Sequence, residues 1–361
     1  MSSIASEHVP RPGEPTIAPP NAAADVEPTA APAPAALPRK ERLRERVLIG
    51  IVSAATWTLS VLPIPIAYFI GDLLAVPWAL MWLVRDRACQ DSRSYWRNRA
   101  IVCRPGSPLP ELPRFHLWRW SRYMAWLLID FCRIRAITKD NVHRFVDVES
   151  FEPAAKILAE QKGAIAATAH FGTWDLGGHV SALLGFPLVS VYQPSVIPAF
   201  ERALVRLRGM DGRMIVAKTG MLRTAKRALQ ERQAVAILCD GAAKEGRVFP
   251  PFLGVAASTI TTPALLHLMT GAPIVVATFE RTGRSRFALT IRDVIRHEKS
   301  GDRDADVLAI TTRINAALTQ AIVEHPEQWF WQSRRFRHRP PGETFGPDGL
   351  PPLCTDAGRS A

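Results

Sequence analysis

The sequence predicts an α/β fold, a mostly parallel central sheet flanked by helices, with an N-terminal apolar helical region suited to a membrane. Three observations predict it. From about residue 150, short apolar runs alternate with longer helical stretches, the pattern of parallel strands joined by crossover helices. Ahead of them, Val47 to Gly71 is 25 residues without a charge, enough to cross a bilayer. Hydrophobic residues make up 47% of the 361, so a sizeable core can form in one large domain or two small ones.

Residues 1–40 read as a disordered tail. Nine of the 30 prolines fall before residue 39, among Ala, Glu and Thr, a composition that buries too little apolar surface to offset its ordering entropy. It lacks the basic start and apolar core of a secretory signal. Residues 41–135 read as a membrane-associating helical region. Pro63 and Pro65 interrupt the apolar run, and Asp72 and Pro77 punctuate the residues just beyond it, so one span and two short in-plane helices both fit. Basic residues flank both ends and fix no orientation. Seven of the ten tryptophans lie between Trp57 and Trp126, where indoles suit a headgroup layer or equally a helical core.

Residues 136–340 read as the α/β core. Strands are predicted at 163–169, 186–192, 234–240 and 273–280, and helices at 195–209 and 221–232. Residues 341–361 read as a second loose tail. The net charge of +12 points to an anionic partner, with nucleic acid, anionic lipid and phosphorylated substrates all open on charge alone. Five cysteines without C-x-x-C spacing or matching histidines predict reduced thiols, with no disulfide, metal site or structural zinc.

In an open α/β sheet, ligands bind beyond the carboxyl ends of the strands. The four predicted strands deliver His170, Tyr192-Gln193, Asp240 and Glu280-Arg281 to that edge. The His-x4-acid spacing of His170 and Asp175 carries little by itself. About one match is expected by chance from nine His and 33 acidic residues in 361, and His297/Asp302 and His338/Glu343 share it. Context separates them, because only His170 ends an apolar strand ahead of a helix. Residues five apart do not face each other on one helix, so His170 belongs on the loop and Asp175 in the helix's first turn. From there Asp175 can fix the imidazole tautomer and leave the other nitrogen as a base. G-x-S-x-G is absent, which favours direct attack by a substrate hydroxyl over a serine nucleophile. The helix start after Gly172 suits a developing oxyanion.

Several further residues carry open readings. Asp240 could position His170, hold the acceptor, or cap its loop. Lys244 and Arg247 could meet donor phosphates or remain solvated. Arg223 opens a helix where a cation opposes the dipole, which hints at an anion. "VFPPFLG" suits an acyl-chain wall or a loop packed on the core. "HPEQWFWQSRRFRHRP" suits nucleic acid by stacking and charge or an anionic headgroup. No nucleic-acid fold signature accompanies it, so lipid is preferred and no nucleic-acid partner is expected.

These blocks together resemble the lipid A biosynthesis (lauroyl/myristoyl) acyltransferases, with the related phosphatidylinositol mannoside acyltransferases and other H-x4-D/E lysophospholipid acyltransferases. The resemblance runs over roughly residues 47–339. It rests on "RSYWRNRAIV", "AHFGTWDLGG", "VYQPSVIP", "AKTGMLRTAKRAL", "ILCDGAAKEGRVFPPFLG", "STITTPALLHLMTGAPIV" and "HPEQWFWQSRRF" in the family's order. It implies an enzyme on the cytoplasmic face of the inner membrane. That enzyme moves a fatty acyl group from acyl carrier protein or acyl-CoA, a co-substrate and not a cofactor, to a glycolipid hydroxyl. His170 and Asp175 match the family's catalytic pair. Tyr192, Gln193, Arg223, Asp240, Lys244 and Arg247 fall in blocks expected to bind substrate. Asp175 stands where this branch usually has Glu, Gln193 interrupts a Tyr-Arg-Pro, and Gly241 replaces the Gln of an Asp-Gln. These departures bear on the acceptor more than on the reaction. They leave phosphatidylinositol mannoside or a lysophospholipid as alternative acceptors, and a catalytically silent protein that binds anionic lipid as an alternative function.

Overall fold

The computed structural model describes residues 47, 50, 53–88, 93–192, 214–217 and 221–354. A helical stretch over 53–61 leads through Pro63 into α1 (Ile64–Ala88), α2 (Arg93–Val102) and α3 (His116–Cys132). The chain then alternates through β1 (Val146–Asp147), α4 (Glu152–Ala159), β2 (Ala164–Thr168), α5 (Trp174–Leu183), β3 (Leu188–Tyr192), β4 (Met214–Ala217), α6 (Met221–Gln230) and β5 (Ala234–Leu238). Four two-residue strands come next, β6 (Arg247–Val248), β7 (Pro251–Phe252), β8 (Val255–Ala256) and β9 (Thr259–Ile260). The last elements are α7 (Thr262–Thr270), β10 (Ile274–Gly283), β11 (Arg286–Ile295) and α8 (Arg303–Glu324).

Seven strands form one sheet in the order β1-β11-β10-β2-β5-β3-β4, parallel except where β10 meets β11. This is the predicted α/β architecture, and the predicted strands appear within a few residues of their expected ends. The helix expected at 195–209 lies outside the described residues. The helix expected at 221–232 is α6. One strand runs longer than expected. β10 continues to Gly283, which makes Glu280 and Arg281 ladder residues opposite Ala288 and Phe287. Both are buried and used internally: Glu280 accepts from Thr278 and Arg292, and Arg281 pairs with Asp130. They do not join the strand-end constellation.

Strand alternation divides the sheet's two faces by size. Ile165 and Ala167 of β2 and Val235 and Ile237 of β5 point into the main hydrophobic cluster, which reaches Trp120, Trp329 and Trp331. On the opposite face, Ala164, Ala166, Ala234 and Ala236 leave room. There α5 comes close because Gly177 has no side chain; a Cβ would stand 2.8 Å from that of Phe279.

The helical region shares the main cluster with the α/β core. Trp82 and Trp120 are buried, Trp78 and Trp96 pack on the cluster, and Trp126 donates to Asp72. Trp57 and Trp118 are exposed. The tryptophan concentration is therefore mostly core aromatic packing, not a headgroup belt. Residues 342–354 also depart from expectation. Leu353 bridges to Val255, Cys354 donates its amide to Gly254, and Pro351 is buried with its carbonyl held by Arg104. The loose-tail reading does not hold for those residues.

A buried ion pair ties the layers together. Asp130 on α3 accepts from Arg281 on β10 and from Tyr68 on α1, and both charged side chains are at most 5% exposed. Removing one partner of such a pair strands the other charge, whereas replacing both is tolerated better. Asp130→Ala should therefore cost about 3–5 kcal/mol. Asp130→Leu combined with Arg281→Met should cost clearly less. Denaturation midpoints of the two variants in one detergent test this.

Candidate active site

β2 and β5 are adjacent parallel strands with Thr168 opposite Leu238. His170 and Asp240 each lie two residues beyond those partners, so the register sets them side by side. The Cys239 amide donates to the Thr168 carbonyl at 2.7 Å and continues the ladder past the strand ends. His170 Nδ1 then lies 2.8 Å from Asp240 Oδ1, and the His170 backbone amide donates to the same oxygen at 3.0 Å. An ionised carboxylate can only accept, which places the imidazole proton on Nδ1.

Asp240 is fully buried. Its second oxygen, Oδ2, accepts from Trp329 Nε1 at 3.0 Å. Burial opposes its ionisation. The attraction and hydrogen bonds of His170, with the indole of Trp329, outweigh that and hold the carboxyl below its ordinary value. Beneath the same loop lies Arg335, also fully buried, donating to the carbonyls of Gly241 and Ser258 and to Thr259 Oγ1. Burial lowers this guanidinium to about 10, against the pull of Asp240 and Cys239, so it stays charged at neutral pH. Burial, reinforced by the Asp240 charge, pushes the Cys239 thiol up to about 12. It is a thiol and not a nucleophile.

The loop from His170 to α5 is held on both sides. The Phe330 amide donates to the His170 carbonyl, Gly172 donates to Gln328, and Thr173 donates to Phe279. Gly172 has φ +61°, and a Cβ there would come 2.0 Å from the Phe279 carbonyl oxygen, so only glycine fits. The Gly172 and Thr173 amides are therefore committed to carbonyls and are not the donors an oxyanion would use. Trp174 and Phe330 flank the ring at centroid distances of 5.3 and 6.0 Å. The His170 side chain remains 33% exposed.

The exposed edge opens on a cavity of about 480 Å³. His170, Trp174 and Asp175 line it at the carboxyl end of the sheet. From there it runs along the small-residue face past Thr168, Ala166 and Ala164 on β2 and the matching Leu238, Ala236 and Ala234 on β5. From Ala164 to His170 the extended chain takes six steps, about 20 Å. The cavity walls include Leu188, Val275, Ala277 and Phe279. The result is a narrow, mostly apolar slot ending at an imidazole.

The structure brings together His170, Asp240 and, from the first turn of α5, Asp175. Of the three readings of Asp240, its contacts with the His170 ring and backbone favour the one in which it positions the imidazole. Lys244 and Arg247 are exposed on the loop just after the cavity-lining Gly241 to Ala243. Arg223 is exposed in the first turn of α6, whose Met221 lines the cavity. Tyr192 ends β3, but its side chain and Gln193 lie outside the described residues.

Of the two readings of "VFPPFLG", the loop packed on the core holds and the acyl-chain wall does not: Phe252 and Leu253 are fully buried, and Phe252 packs on Trp329 and Phe336. One expectation is corrected. "HPEQWFWQSRRFRHRP" is not an exposed stacking surface. Trp329, Trp331, Arg335 and Phe336 are buried, and Phe330 guards His170. The C-terminal segment is thus a site element that sequence reasoning assigned to lipid binding. The signal that could have found the His170–Asp240 pair was the equal offset of two polar residues beyond two apolar strands.

A sequence model of the bacterial lipid A biosynthesis acyltransferases matches residues 116–338, from the start of α3 past Arg335. The chain belongs to this family. It is similar to the lipid A biosynthesis palmitoleoyltransferase of Escherichia coli (strain K12) and to the lipid A biosynthesis acyltransferase of Shigella flexneri. Each is 26% identical over 224 residues, which cover 61% of this chain and 68% of the relative. The matched span holds every side chain described around His170.

The lowered Asp240 carboxyl fixes a pH signature. Its contribution to stability is complete above the ordinary carboxylate range, near pH 4, and is lost as pH falls through the lowered folded value. Trp329→Phe removes one donor and should raise that value. The variant's stability deficit should be full at neutral pH and narrow as pH drops below about 4. A deficit that does not vary with pH would assign the loss to packing alone.

Proposed function

We propose that this acyltransferase moves a fatty acyl group from an acyl carrier protein or CoA thioester to a hydroxyl of a lipid A-like glycolipid. His170 is the general base. The observation that carries this reading is the apolar slot running along the sheet to an imidazole held by a buried carboxylate. With Nδ1–H donated to the Asp240 carboxylate, Nε2 takes the proton of the acceptor hydroxyl as its oxygen attacks the thioester carbonyl. The tetrahedral intermediate then collapses, the C–S bond breaks, and the thiolate leaves and takes up a proton. A positioned base supplies roughly 10² to 10⁴ in rate, and Asp240 stabilises the imidazolium formed meanwhile.

The remaining residues take roles by position. Asp175 lines the cavity beside His170 and holds the reacting end of the substrates. Tyr192 and Gln193 come at the end of β3, whose Leu188 and Ser190 line the slot. Lys244, Arg247 and Arg223 are exposed cations around the cavity walls and suit the phosphates of donor and acceptor. The acyl chain lies along the alanine face. The exposed apolar surface of α1 supports work at a membrane, on the cytoplasmic face of the inner membrane, where such thioesters are available.

His170→Ala should lower acyl transfer by at least 10² while leaving the folded state intact. The direct test is lipid mass spectrometry of a deletion strain. One lipid should lose one acyl chain, wild type should restore it, and His170→Ala should not. Restoration by the variant would overturn the base assignment, and the lipid that changes identifies the acceptor. Ala236→Phe should fill the slot midway, so short acyl donors retain turnover and long ones lose it at least tenfold. An equal effect on all lengths would place the chain elsewhere.

A further inference from the structure

α1 has two faces that differ in kind. Ala67, Gly71, Ala75, Trp78 and Trp82 recur at spacings of three and four and pack inward. Gly71 is needed there, because a Cβ would meet the Trp126 ring at 2.9 Å. On the opposite side, Ile66, Phe69, Leu73, Val76, Leu80 and Leu83 recur at the same spacings and are 45–60% exposed.

The inner face is fastened to α3 along its length, and the pairing runs antiparallel. Tyr68 donates to Asp130, Asp72 accepts from Arg122 and Trp126, and Trp82 packs edge-on against Trp120 at 5.6 Å. α3 is fastened in turn to the catalytic core, with Trp120 Nε1 donating to the Trp329 carbonyl. Cations gather at the seam of α1 and α3. Arg122 and Arg284 share the single carboxylate of Asp72, and Arg119 is exposed one turn earlier on α3. Phe115, 79% exposed, and Trp118 extend the apolar surface at that end.

We propose that α1 lies in the plane of the membrane interface, with its exposed strip in the acyl region of an anionic bilayer, and does not cross it. Its 25 residues measure about 37 Å, so length alone permits a crossing. Attachment to α3 forbids one. A transmembrane α1 would carry the exposed Arg119 and the partly exposed Arg122 of α3 into the hydrocarbon, where a central charge costs several kcal/mol or is rare. An in-plane α1 keeps those groups at the headgroups, where a rim of three cations with one acid meets anionic lipid. The inference concerns α1 alone and stands apart from the acyl-transfer reading.

Depth measurement tests it on the full chain in bilayers of phosphatidylethanolamine and phosphatidylglycerol. A fluorescent amino acid placed at position 66, 73 or 80 is quenched by lipids that carry the quencher near the headgroup or deep in the tails. The in-plane helix predicts stronger shallow than deep quenching at all three positions. Deep quenching at 73 with shallow quenching at 66 and 80 would show a crossing and overturn the proposal. No quenching by either lipid would show that the strip does not face lipid, and would overturn it too. Independently, Leu73→Glu or Leu80→Glu should weaken binding to these vesicles at least tenfold with an unchanged denaturation midpoint. Arg119→Ser should weaken it about fivefold on anionic vesicles and leave neutral ones unaffected. Unchanged binding in all three variants would count against the strip as the lipid surface.

Discussion

The buried carboxylate of Asp240 is the constraint on which the site depends. An ionised group with no exposed surface survives only if donors replace the water it has lost. Asp240 recruits them from distant parts of the chain: the backbone and ring of His170 after β2, and the indole of Trp329 in the C-terminal segment. Each donor is fixed by something else. Parallel register places His170, and Trp120 on α3 holds the carbonyl of Trp329. The carboxylate thus converts the sheet, the helical region and the C-terminal segment into one rigid setting for a single imidazole. Arg335 braces the loop after Asp240 through neutral carbonyls and not by direct pairing. Its charge acts on Asp240 without competing for the oxygens that hold His170.

The sheet is also asymmetric in a way that serves a long apolar ligand. Residues of odd number on β2 and β5 fill the core, while those of even number are mostly alanine and leave a slot. An unfilled apolar cavity forgoes dispersion contacts and lowers stability. The chain tolerates this because the opposite face is packed with large aromatic side chains, including Trp120, Trp329 and Trp331. Emptiness on one face and dense packing on the other are therefore parts of one arrangement.

Apolar strands alternating with helices declared the fold, and strand termini declared where the site is. His170 was legible because it ended such a run. The contact of Nδ1 with Asp240 was less legible, since the two lie 70 residues apart. His297 behaves in the same way: its Nε2 meets Asp306, nine residues on. Contacts made by the fold need not follow sequence spacing. The C-terminal aromatic-basic stretch misled for a related reason. Composition reports that indoles and guanidinium groups occur together, but not which of them face inward. In this chain Trp329, Trp331 and Arg335 all do. Glu280 and Arg281 misled because a strand end cannot be placed to the residue by hydrophobicity when buried ion pairs prolong the ladder.

The net charge of +12 invites a similar correction. Many of the arginines serve inside the protein. Arg281 is paired with Asp130, Arg292 with Glu280 and Glu324, and Arg339 with Glu343, while Arg335 is satisfied by carbonyls and a hydroxyl. Bulk charge therefore overstates the field offered to a partner. Among the described residues, two groups of outward cations are Arg119 with Arg122 and Arg284, which share one acid of α1, and Lys244, Arg247 and Arg337 near the cavity loop. Like charges gathered at exposed positions without matching acids lose energy by mutual repulsion unless an anion joins them. Two such groups, one beside apolar helix surface and one beside the slot, fit a protein that meets anions at both its membrane face and its substrate entrance.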